Sequence, residues 1–167
     1  MRERGFSLVE LVVVLAIIGT LLAIATHNWQ QMQLKSAVES EAKKLYADIM
    51  EVRLQALYRK TPRSVVITGK QFQIFSSAVT TVAPIATKQL PYPMAGADGN
   101  IATSNTITFD SQGLANGSVI MALCILPTGD TTVVNNAFVD SIVVSQTRIN
   151  LGWRNGGDCK SGNIDQK

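Results

Sequence analysis

The sequence predicts an α+β fold: a long N-terminal α-helix, apolar in its first half and amphipathic in its second, packed against a small antiparallel β-sheet head. Three observations carry that expectation. The stretch from Phe6 to Ala25 is nearly all Leu, Val, Ile and Ala. From Val38 to Ala56, apolar residues recur at alternating steps of four and three. After Pro62 the period shortens, and β-branched or aromatic runs alternate with glycine, proline and asparagine punctuation.

The N-terminal run is the most informative element. Twenty residues at ~1.5 Å rise reach ~30 Å, the thickness of a bilayer's hydrocarbon core. Arg2 and Arg4 ahead of it favour a cytoplasmic N-terminus by the positive-inside bias. A secretory signal peptide needs a small-residue cleavage site, which Ala23, Ala25 and Thr26 imitate weakly. A plain anchor explains the length but leaves Glu10 unexplained, because a lone charge in a membrane helix costs about 2.5–3.5 kcal/mol on insertion scales. A buried soluble helix is disfavoured by the length of the run.

Gly5-Phe6-Ser7-Leu8-Val9-Glu10, followed by that apolar run, resembles the class III signal of type IV pilins and type II secretion pseudopilins. The resemblance implies a pilin-like fold, cleavage by a prepilin peptidase between Gly5 and Phe6, and N-methylation of the new terminal Phe6. It also implies an assembly role for Glu10, which would pair with the terminal amine of a neighbouring subunit. Physical chemistry agrees with that role, since a neighbour's ammonium relieves the penalty on a carboxylate held in apolar surroundings. The expected organisation is a leader peptide at 1–5, a transmembrane and filament-core helix at 6–26, an amphipathic spine at 27–60 and a β-rich head at 61–167.

The spine is read from Val38, Ala42, Leu45, Ile49, Val52 and Ala56, with Tyr46, Met50 and Leu57 widening the stripe. Lys35, Glu39, Lys43, Asp48, Glu51 and Arg59 lie mostly off it. Thr61-Pro62 is the expected stop, because the residue before proline avoids the helical region. Gly19 weakens the apolar half. Many pilins carry a proline near the membrane exit, where this chain reads Ala25-Thr26-His27-Asn28.

In the head, Ser64–Thr68 and Gln71–Ser76 around Gly69-Lys70 predict a hairpin. Asn105–Asp110, Val119–Leu126, Phe138–Ser145 and Arg148–Leu151 predict further strands. Successive strands without intervening helices argue for an antiparallel sheet that covers the helical stripe. Residues 77–104, with Pro84, Pro91, Pro93, Gly96 and Gly99, give no ordered pattern. Cys124 and Cys159 lack the CxxC spacing of a redox or zinc site. They can pair if the head lies outside the cytoplasm, or remain two separate buried thiols.

Arg53-Leu54-Gln55-Ala56-Leu57 and Phe109-Asp110-Ser111-Gln112-Gly113 resemble the GspH/FimT group of minor pilins. Some members of that group bind DNA through a C-terminal basic motif. The nearest match here places Arg148, Arg154 and Lys160 around Trp153, a thin set of cations for phosphate binding. The charge balance, +3 in 167 residues, contains no basic arm or acidic tail.

No phosphate loop, HExxH helix or nucleophile elbow occurs. His27 is the only histidine, and Asp110, Asp130, Asp140 and Asp158 are scattered without EF-hand alternation. The expectation is a non-enzymatic minor pilin or pseudopilin without cofactor or metal. It would be stored in the bacterial inner membrane with a periplasmic head, then assembled into a type IV pilus or a type II secretion pseudopilus. Its expected partners are other pilin subunits, the prepilin peptidase and the inner-membrane assembly platform. The alternative is a pilus-associated DNA-binding subunit for uptake.

Overall fold

The computed structural model describes residues 7–116, 120–134 and 136–167, with the side chains of 24–28 left aside. The chain divides into two units, Met1–Leu34 and Lys35–Lys167.

In the first unit, helix α1 (Leu8–Arg59) begins, and the side chains from Leu8 to Ala23 are exposed. Thr20 returns its hydroxyl to the Ile17 carbonyl at 2.8 Å, which hides the one polar side chain of that stretch beyond Glu10 against the backbone. Among the described residues no helix is long and apolar enough to cross a membrane. The expected 6–26 span is only partly covered: Phe6 lies outside the described residues, and so do the side chains of residues 24–26.

The second unit builds on the later part of α1. Val38, Ala42, Leu45, Ile49, Val52 and Ala56 are all buried, as their spacing requires. Each large aliphatic side chain buried in this way contributes about 1.5–3 kcal/mol. The helix stops at Arg59; Lys60 turns into the left-handed region at φ 53, and Pro62 follows.

Seven strands form one antiparallel sheet: β1 (Arg63–Phe75), β2 (Ala86–Ala95), β3 (Asn105–Phe109), β4 (Met121–Ile125), β5 (Ser141–Val144), β6 (Ile149–Arg154) and β7 (Ile164–Gln166). Their spatial order is β3-β1-β2-β4-β5-β6-β7. Alternation sends Val65, Ile67, Ile107, Phe109, Leu123, Ile125, Ile142, Val144 and Ile149 into one core with the helical stripe. The opposite face forms a second cluster from Ala95, Ala122, Cys124, Leu126, Val143, Cys159 and Ile164.

Two expectations need correction. The hairpin at Gly69-Lys70 is instead one continuous strand, β1, with an irregularity between Gly69 and Gln71. Gly69 takes φ 56 there, so the glycine kinks the strand without reversing it. Within the unordered stretch 77–104, Ala86–Ala95 is a strand despite Pro91 and Pro93. Gln89 pairs with Gln71 while Met94 pairs with Gly69, so both prolines sit in a four-residue bulge where the β1 ladder demands no N–H of them.

Candidate functional site

Gly5 and Phe6, the expected cleavage and methylation positions, lie outside the described residues. Glu10 is described: it sits in the first turn of α1, exposed, among the exposed side chains of Leu8, Val9, Leu11, Val12 and Val13. An acid near a helix N-terminus is favourably placed against the macrodipole. Contiguous exposed apolar area on this scale marks a protein or membrane interaction surface, or else an aggregation liability.

In the head, the segments singled out in the sequence come together at one end of the sheet. The Asp110 carboxylate accepts from the Gln112 and Leu114 N–H groups at 2.8 and 2.9 Å, closing the Phe-Asp-x-x-Gly turn. Gly113 adopts φ +72, and a Cβ there would lie 2.7 Å from Cγ of Leu57, so the turn fits against α1 only as glycine. Arg53 then reaches across from the helix. Its Nε donates to the Gly113 carbonyl at 2.8 Å and one terminal nitrogen donates to the Thr147 carbonyl at 2.9 Å. One guanidinium therefore fastens the β3–β4 turn and the β5–β6 turn to the spine.

The three basic candidates separate. Arg148 is exposed beside the Ser145 turn, where its N–H and carbonyl are both bonded to Ser145. Lys160 is exposed and paired with Asp158 at 3.0 Å. Arg154, expected among the candidate phosphate-binding cations, is fully buried. Its two terminal nitrogens donate to the Thr131 and Val133 carbonyls at 2.6 Å each, and its N–H donates to Oδ1 of Asp140 at 2.9 Å. Ser141 Oγ donates to the same Asp140 oxygen at 2.6 Å. Arg154 Nε and Asp140 Oδ2 face each other at 3.9 Å without a hydrogen-bond partner. Arginine suits this post because its planar fork can hold two loop carbonyls at once. Sequence reasoning missed this network because its partners come from a separate loop.

Cys124 and Cys159 are bonded to each other and buried, joining β4 to the C-terminal segment. The scattered acids are occupied apart from one another: Asp110 in its turn, Asp140 with Arg154, Asp158 with Lys160, and Asp130 with Thr132. Among the described residues no group of three or more His, Cys, Asp or Glu is placed to hold a metal ion.

Residues 1–26 match the family described as the prokaryotic N-terminal methylation motif. A 57-residue stretch is 47% identical to the type IV major pilin protein PilA of Myxococcus xanthus (strain DK1622), covering 34% of this chain and 22% of that protein. Among solved structures, the type IV minor pilin FimU of Pseudomonas aeruginosa (strain PAO1) matches in two crystal forms. The first has a TM-score of 0.53 at 19% identity, over 68% of this chain and 87% of that one. The second has a TM-score of 0.50 at 20% identity, over 68% of this chain and 90% of that one. The chain thus carries a prepilin-like N-terminal motif and a fold similar to that of a solved pilin. The solved structures it matches are of a minor pilin, and the likeness is one of fold.

Proposed function

We propose that this chain is a non-enzymatic subunit of a type IV pilus or a related secretion pseudopilus, built into the filament beside other pilin subunits. The observation that carries the reading is the exposed helix Leu8–Ala23 with Glu10 in its first turn. Such a surface has one economical use, burial against copies of the same kind of helix. Before assembly the helix rests in the inner membrane, with its N-terminus cytoplasmic and its head periplasmic. The peptidase removes residues 1–5 and Phe6 becomes the methylated terminus. Assembly then brings Glu10 to the Phe6 amine of a neighbour, so that the acid enters an apolar bundle with its charge compensated.

Mass spectrometry of the mature N-terminus tests this directly. N-methylated Phe6 is the expected result, and Gly5→Val should leave the full-length precursor. A mature chain starting after Ala25 would replace the reading with an ordinary secreted protein. The DNA-uptake alternative has less to stand on, since Arg154 is enclosed and Lys160 is paired, leaving Arg148 of the three candidates.

A further inference from the structure

The last thirteen residues are organised differently from the remainder of the head. Asn155 N–H bonds to the Asn163 carbonyl, Asn163 N–H to the Lys160 carbonyl, Lys160 N–H to the Asp158 carbonyl, and the Asn163 amide to the Asp158 carbonyl. These bonds run within the segment itself. Gly156 and Gly157, at φ 85 and 70, reverse the chain so that β7 can lie back along β6. The segment is therefore a small self-bonded loop ending in a strand.

Its attachments to the sheet are few in kind. Gln166, Asp165 and Ile164 pair with Gly152, Trp153 and Arg154, and Lys167 N–H donates to the Leu151 carbonyl. Ile164 is buried in the second cluster, and Gly152 makes room for it: a Cβ at residue 152 would lie 2.2 Å from Cγ2 of Ile164. Asn150 donates to Gln166 at 2.8 Å, and the Lys167 ammonium sits 5.4 Å from the Phe138 ring centroid. The covalent attachment is the Cys124–Cys159 bond.

Without β7, the outer side of β6 is an open edge. Leu151 and Trp153 would turn ladder groups to solvent there, since Gly152 already serves β5 by accepting from Asp140 N–H. Open edges are templates for pairing with another chain. The strand that fits this edge is Ile164-Asp165-Gln166, whether from the same chain or from a second copy. A terminal element on a glycine-rich loop is the usual material of exchange between identical protomers.

We propose that Asn155–Lys167 is an exchangeable clip. The Cys124–Cys159 bond keeps β7 on its own sheet, and before that bond closes β7 of one copy can occupy the β6 edge of another.

Reoxidation of the full chain provides the test. Reduced wild-type protein, half of it labelled with 15N, is reoxidised in detergent micelles with oxidised glutathione; two thiols become one disulfide as one oxidised glutathione becomes two reduced molecules. The disulfide-linked peptide pair containing Cys124 and Cys159 is then weighed. Pairs with one heavy and one light half are expected, rising with chain concentration, and Ile164→Asp should reduce them several-fold. Pairs of uniform label at every concentration would overturn the proposal. A mixture of Cys124→Ala and Cys159→Ala chains gives a second reading. Neither can close its own clip, so a Cys124–Cys159 bond between copies is expected in several-fold excess over the dimers formed by either variant alone. No excess would equally overturn it.

Discussion

Arg53 Nε lies 2.8 Å from the carbonyl oxygen of Gly113, sixty positions later in the chain. With the second bond to Thr147, this contact fixes how the β3–β4 and β5–β6 turns seat on the spine. Arg53→Ala is expected to destabilise the head by about 2 kcal/mol, the range for charge-assisted hydrogen bonds. Arg53→Lys should recover less than half of that, because an ammonium cannot reproduce the fork. Chemical denaturation of the two variants beside wild type measures both.

Arg154 and Asp140 make a costlier pair to disturb. Arg154→Met leaves the Asp140 carboxylate buried without its cation and should destabilise by about 3–5 kcal/mol. Adding Asp140→Asn should restore about 1–3 kcal/mol of that loss, since neighbouring sites couple. A denaturation double-mutant cycle reads the coupling directly, and strictly additive effects would contradict the network.

Glu41 titrates differently from an ordinary surface acid. Burial raises its pKa above 4.5, with Asp48 adding to the rise and Lys44 opposing it. An acid whose folded pKa is raised binds more protons in the folded than in the unfolded state. Its ionisation therefore costs stability above that raised pKa and costs nothing below 4.5. Glu41→Gln should raise the melting temperature at pH 7, and the gain should disappear below about pH 4.5. Thermal scans across that range check the sign.

Glu10→Ala should leave processing after Gly5 intact while lowering the amount of chain recovered in sheared filaments. Immunoblots of sheared and cell-bound fractions separate the two steps. Wild-type recovery in filaments would remove the pairing role from Glu10.

The helical stripe was legible because its signal is local. Six buried positions between Val38 and Ala56 follow from helix geometry alone, and no distant residue is needed to place them. The strands around Ile107, Ile142 and Ile149 were readable from β-branched runs bounded by turns. Gly69 misled because a glycine at positive φ serves a hairpin and a bulge equally well; the choice is made by β2 and β3, which pair with different parts of β1. Pro91 and Pro93 hid a strand for a related reason, since only the register of both neighbours shows that no ladder N–H is demanded of them. Arg154 was unreadable as a core residue because the carbonyls that satisfy it belong to Thr131 and Val133, in a loop with no pattern pointing toward it. The Phe-Asp-x-x-Gly turn was visible as a motif, but its grip on Arg53 was not.

The proline-bearing bulge in β2 has a mechanical consequence. Beyond it, β2 meets β4 through just two register pairs, Met94 with Ile125 and Ala95 with Cys124, supplemented by the Leu126 N–H bond to the Pro93 carbonyl. β1 and β3 share five such pairs, and β4 and β5 share four. The sheet is therefore two rigid panels joined by a narrow seam, one carrying β3-β1-β2 and the other β4 to β7. A force pulling the panels apart would meet little ladder resistance at Met94–Ala95. What carries that load is the layer beneath, where the side chains of α1 are stitched into both panels at once.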